Sequence, residues 1–83
     1  MRIEMELWET QPEWEISIER KRKGETQLLI ISSGQLYSFN SAINAYIEND
    51  DYSVPFVYEI NGFEINIDIA DDVKIHARSI SSI

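Results

Sequence analysis

The dipeptide Asn61-Gly62 lies between two alternating runs, Phe56-Val57-Tyr58-Glu59-Ile60 and Phe63-Glu64-Ile65-Asn66-Ile67-Asp68-Ile69, and it constrains this chain more than any other stretch. Asn-Gly suits a two-residue type I′ turn, in which both central residues need positive φ, so the flanking runs read as a β-hairpin. Such a turn leaves one register. Ile60 faces Phe63, Tyr58 faces Ile65 and Phe56 faces Ile67, which gathers Phe56, Tyr58, Ile60, Phe63, Ile65, Ile67 and Ile69 on one face. Val57, Glu59, Glu64, Asn66 and Asp68 take the other face, where Glu59 sits directly opposite Glu64, a like-charge pair that destabilises a ladder.

The following run, Val73-Lys74-Ile75-His76-Ala77-Arg78, offers a remedy. A short loop pairing Ile69 with Val73 sets Asp68 beside Lys74, Asn66 beside His76 and Glu64 beside Arg78, with Ile67 against Ile75 and Ile65 against Ala77 inside. Hydrophobic parity and charge agree on that register, and the sequence predicts a meander over residues 56–78.

Upstream, Ile3, Met5 and Leu7 alternate with Glu4, Glu6 and Trp8, while Trp14, Ile16 and Ile18 alternate with Glu13, Glu15, Ser17 and Glu19. These predict two strands joined by a turn at Thr10-Gln11-Pro12, where the missing Pro N–H bars a central ladder position. Arg20 to Thr26 reads as a charged loop, and Gln27-Leu28-Leu29-Ile30-Ile31 as a central strand covered on both faces. Gln35-Leu36-Tyr37 is expected to add a short strand. The helix is expected from about Phe39 to about Asn49, because Phe39, Ala42, Ile43, Tyr46 and Ile47 form one apolar stripe. Ser38 is its expected cap, without a capping box, and Pro55 disfavours helix at Val54. Residues 1–83 therefore read as a single α+β domain of order β-β-β-α-β-β-β, an antiparallel β-sheet of about five to six strands with one α-helix packed on one face.

The chain has no cysteine, which excludes thiolate metal sites and a disulfide scaffold, and no uninterrupted apolar run of signal-peptide or transmembrane type. It is expected to be soluble and cytoplasmic. Its net charge of −8 is unevenly spread: residues 3–19 hold six Glu and no cation, residues 20–23 four cations, and residues 24–73 nine acids with no Lys or Arg. Affinity for nucleic acid or anionic lipid depends on neutralising phosphate, so direct binding to either is not expected, whereas a basic partner suits the balance. The bland reading of the same acids is solubility.

Signals for catalysis are weak. His76 is the single histidine, with no nucleophile or second acid-base group tied to it by spacing, and reads as a solvated strand residue. Asp50-Asp51 and Asp71-Asp72 lack the staggered oxygen ligands and turn glycine of a calcium loop, and no phosphate-binding glycine pattern is present. Neither an enzyme nor a cofactor is expected.

Binding is the better-supported class. Glu48, Asp50 and Asp51 fall at the C-terminal end of the expected helix, where the macrodipole favours cations, although Asp and Asn are also ordinary turn formers. Trp8, flanked by Glu6 and Glu9, reads as an aromatic anchor in a charged setting unless a bulge turns it inward. The candidate partner-binding residues are therefore Glu4, Glu6, Trp8, Glu15, Glu48, Asp50, Asp51 and Tyr52. The expected function is that of a non-enzymatic protein which binds and inhibits a basic, nucleic-acid-binding partner. Small anti-defence proteins of phages and nuclease-immunity proteins, similar in size and charge, present carboxylates where phosphates would lie. The alternative is a structural or accessory subunit of a larger complex.

Overall fold

The computed structural model describes residues 1–4 and 13–80. The chain is α+β and its elements follow the expected order: β1 (Arg2–Glu4), β2 (Glu13–Arg20), β3 (Glu25–Ser32), α1 (Ser33–Asn49), β4 (Phe56–Ile60), β5 (Phe63–Ile67), a 3-10 turn (Ile69–Asp71) and β6 (Val73–Ser79). The strands divide between a four-stranded sheet of order β1-β6-β2-β3 and the separate ribbon β4-β5. The larger sheet is mixed, since β1 runs parallel to β6 while β2 is antiparallel to both its neighbours.

The hairpin forms in the predicted register, from Phe56↔Ile67 to Ile60↔Phe63. Asn61 at φ 53° and Gly62 at φ 81° supply the two positive φ values of the turn. Phe56, Ile60, Ile65 and Ile67 are buried as parity requires. Phe63 is not: at the turn end of the ribbon it is 59% exposed, because no described element lies over it.

The meander does not form. β6 leaves β5 and lies between β1 and β2, pairing Glu15↔Arg78, Ser17↔His76 and Glu19↔Lys74. The cations expected beside Glu64 and Asp68 thus meet a different set of acids at the same parity. The run from Leu28 to Ile31 is also not central, since β3 is an edge strand with its inner residues Leu29 and Ile31 buried and Leu28 and Ile30 exposed. The charged loop shortens to Lys21–Gly24, for Arg20 closes β2 opposite Glu25 and is itself buried.

The helix starts earlier than predicted and absorbs Gln35-Leu36-Tyr37. Ser32 rather than Ser38 is the cap: its Oγ accepts from the Gln35 N–H at 3.2 Å while Gln35 Oε1 accepts from the Ser32 N–H at 2.9 Å. This capping box satisfies two donors at the helix start. At the other end Asp50 takes the left-handed conformation at φ 55° and donates its N–H to the Ile47 carbonyl. Phe39 and Ile43 of the predicted stripe are fully buried, and Leu36, expected in a strand, extends that stripe by one turn and is fully buried as well. They pack on the inner face of the four-stranded sheet, with Ile16, Ile18, Val73 and Ile75 below and Ile65 and Ile67 from the ribbon alongside. Phe39 meets Phe56 and Tyr58 edge-on at 6.0 and 5.6 Å, an arrangement suited to the ring quadrupoles. Among the described residues no helix is long and apolar enough to cross a membrane.

Candidate functional site

Alternation along the strands gives the four-stranded sheet an outer face opposite the helix. Its rows are Arg2, Lys74, Glu19 and Thr26; then Glu4, His76, Ser17 and Leu28; then Arg78, Glu15 and Ile30. Glu4 and Glu15 lie here, and their carboxylates are already engaged. Glu4 pairs with Arg2 at 2.8 Å and with Lys74 at 3.8 Å, and Glu15 accepts from Arg78 Nε at 2.9 Å. Two acids of the first strands are therefore neutralised, Glu4 by Arg2 and Lys74 and Glu15 by Arg78, whereas Glu13 and Glu19 make no ion pair among the described residues. His76 is exposed on this face between Glu4 and Ser17. Glu6 and Trp8 lie outside the described residues, as does the expected turn at Thr10-Gln11-Pro12.

The remaining candidates sit elsewhere, at the end of the helix on the opposite side of the sheet. Asp51 has an evident local role: its Oδ1 accepts from Ser53 Oγ at 2.6 Å and from the Ser53 N–H at 3.2 Å. Those two bonds, the side-chain one first, hold its carboxyl below the usual range. Tyr52 Oη donates to the Ile47 carbonyl at 3.3 Å, and its ring lies 5.7 Å from that of Tyr46. Tyr46 Oη donates in turn to the Val54 carbonyl at 2.6 Å. Burial, then the proximity of Tyr52, Asp68 and Asp51, pushes the Tyr46 phenol above its ordinary value. Glu48 and Asp50 are exposed, and the last helical turn carries no basic residue. The structure thus separates the candidates into two groups, Glu4 and Glu15 on one face and Glu48, Asp50, Asp51 and Tyr52 on the other side of the molecule.

Charge pairing is equally divided. Among the described residues the ion pairs are those of Glu4 and Glu15 and a fourth between Lys23 and Asp71 at 3.4 Å. Of the nine acids between residues 24 and 73, Asp71 alone has an ion-pair partner among the described residues. Glu59 and Glu64 face each other across the ribbon as expected, without the cation that β6 was to bring.

Three residues that the sequence reading placed in the interior form an exposed apolar surface. Leu28 is 58% exposed, Ile30 52% and Phe63 59%, and they line a groove of about 500 Å³ with Ile31, Ile60 and Asn61. A continuous apolar run looks the same in sequence whether its strand is central or at an edge, so nothing in Leu28-Leu29-Ile30-Ile31 marks the exposed members. A second hollow, about 490 Å³, is polar and lined by Arg20, Lys23, Glu25, Gln27, Glu64 and Asp68, with charges of both signs. Among the described residues no three His, Asp or Glu side chains are grouped so as to hold a metal ion. Comparison with protein-family models, characterised proteins and solved structures returns no match to this chain.

Proposed function

We propose that this protein is a non-enzymatic binder that docks on a basic, nucleic-acid-binding partner and inhibits it by occupying the surface where phosphates would lie. One observation carries the reading: β3, α1, β4 and β5 contain no Lys or Arg, and their acids make no ion pair among the described residues, while Glu4 of β1 and Glu15 of β2 are neutralised. Glu59 opposite Glu64 costs stability in the free protein, as do Glu48 and Asp50 near a helix C-terminus, and a cationic partner relieves both. Relative to the expectation from sequence, the contact surface moves away from Glu4 and Glu15 toward Glu48, Asp50, Asp51, Glu59 and Glu64.

Affinity capture on the immobilised protein, eluted with a salt gradient, tests this. A basic protein should elute below about 1 M salt, where the Debye length is about 3 Å, and adding the free protein should displace nucleic acid from it. A partner that stays bound at that salt, or that keeps its nucleic acid, overturns the reading. Exposure of Leu28, Ile30 and Phe63 favours the second reading, an accessory subunit, for which salt-resistant capture is the expected outcome.

A further inference from the structure

β3 is an edge strand, and its free side can be read from two hydrogen bonds at the far margins of β2. Ile80 N–H donates to the Glu13 carbonyl at 3.0 Å, and Lys21 N–H to the Asp72 carbonyl at 3.3 Å. Both turn the odd-numbered backbone groups of β2 toward β6. The even-numbered groups, from Trp14 to Arg20, therefore point toward β3, where they meet Ile31, Leu29, Gln27 and Glu25. Thr26, Leu28 and Ile30 are left with N–H and C=O groups directed out of the sheet, and no described strand pairs with them. Their side chains lie on the outer face, so two apolar side chains and a row of unpaired backbone groups coincide.

Edges of this kind are ordinarily protected by lysine, proline, a bulge or a covering element. The edge strand β1 is short and charged in this way. β3 contains no lysine, proline or bulge and no described strand covers its outer edge, and the groove against Ile60, Asn61 and Phe63 continues its apolar surface. Acids predominate around it, although Arg20 and Lys23 share the hollow beside Thr26 with Glu25, Glu64 and Asp68. β3 and the ribbon contain Glu25, Glu59 and Glu64 and no cation, which disfavours a second copy of a chain carrying −8.

Resting on the proposed binding function, we infer that β3 is the docking edge, and that its occupant is an extended cationic segment of the partner, with Lys or Arg alternating with apolar residues, added as a fifth strand of the sheet. Backbone bonds to Thr26, Leu28 and Ile30 give the strand its register. Apolar residues of the segment extend the stripe of Leu28 and Ile30, and its cations lie toward Glu25 and Glu64.

The test uses three capped peptides of about seven residues, the length of an ordinary strand. One alternates lysine with valine, a second keeps the lysines but replaces the valines by proline, and a third alternates glutamate with valine. Binding is followed by amide hydrogen exchange on the full chain. The lysine-valine peptide should bind and slow exchange at Thr26, Leu28 and Ile30, and the other two should not protect them. Ile30→Pro removes an outward N–H without touching the β2 ladder and should abolish this protection. Should that variant fail to fold, Ile30→Lys replaces it, with an expected loss of about tenfold in affinity. Equal binding of the proline peptide without edge protection overturns strand addition while leaving the acidic binding function intact. Equal protection by the glutamate peptide overturns the cationic choice, and protection that rises with protein concentration alone assigns the edge to a second copy. Failure of every peptide to bind overturns both this inference and the reading on which it rests.

Discussion

The guanidinium of Arg20 donates twice to the backbone carbonyl of Asn66, through Nε at 3.1 Å and through Nη2 at 2.8 Å. Nη2 also reaches Gln27 Oε1 at 3.0 Å, and Gln27 Nε2 donates to the Glu64 carbonyl at 3.1 Å. Glu64 and Asn66 are the residues whose carbonyls point away from β4, where a third strand of the ribbon would pair. Two side chains of the larger sheet therefore satisfy the edge that β6 leaves open, and they join the sheets. Arg20 is 7% exposed, and it does this without a carboxylate partner among the described residues.

Arg20→Ala should accordingly cost about 2 to 4 kcal/mol, since it removes charge-assisted bonds and packed methylenes together. Arg20→Lys keeps the charge but loses the fork, and should recover less than half of that loss. Urea denaturation checks both. A change within about 0.5 kcal/mol for Arg20→Ala would mean that water replaces the guanidinium at no cost.

In the helix, Ile43 is fully buried and Asn44 is exposed, one position apart. Ile43→Ala should cost about 2 to 5 kcal/mol and Asn44→Ala should be near neutral. Ile47, only partly buried, should fall between them on truncation to Ala. Equal effects in denaturation would place the buried stripe on another side.

Ser32→Ala should cost about 1 kcal/mol by opening the capping box, with Ser38→Ala near neutral because Ser38 lies inside the helix and exposed. Reversal of that order would return the helix start to Ser38. Thermal melts of the two variants decide the matter.

Glu59→Lys converts a repulsive cross-strand pair into an attractive one and should raise stability by about 0.2 to 1 kcal/mol. The same change should weaken capture of the basic partner. A variant that is more stable and binds equally well would remove the ribbon from the contact surface.

The Asp51 carboxyl titrates below its ordinary range because Ser53 donates to it, so the ionised form is favoured by folding. Its contribution is fully present above the unfolded pKa and is lost as pH falls through the lower folded value. Ser53→Ala should raise the Asp51 pKa toward the ordinary carboxylate range. The variant's stability deficit should shrink on acidification through that window. An Asp51 side-chain titration by NMR that does not move would contradict the assignment.

The hairpin was legible because its signals are local: one turn dipeptide and a strict alternation determine every pair from Phe56↔Ile67 to Ile60↔Phe63. The partner of β6 was not, because Lys74 and Arg78 find acids at matching parity on two different strands, Asp68 and Glu64 or Glu19 and Glu15. Parity specifies a face without specifying a neighbour. The capping box was present in Ser32-x-x-Gln35, but the polar residue nearest the apolar stripe, Ser38, drew the helix start inward. For the candidate site, acidic residues could be counted from sequence, whereas the engagement of Glu4 and Glu15 depended on the same long-range pairing of β6.

The position of β6 also bears on how the chain acquires its structure. Every other described element precedes it, yet it occupies the middle of the sheet, joining Ile3 near one end of the sequence to Ile18 through Ile75. Pairings of such long separation must close large loops before they return any stabilisation, which slows folding relative to domains built from neighbouring contacts. A nascent chain that has exposed β2, β3 and α1 to water holds an incomplete sheet with two open edges. The apolar side chains of β2 and β3 then have the helix and, once made, the ribbon for cover, but lack Val73, Ile75 and Ala77 until residues 73–79 arrive. Partially made protein is thus the species most prone to intermolecular strand pairing, and the exposed edge of β3 persists through it and into the finished fold.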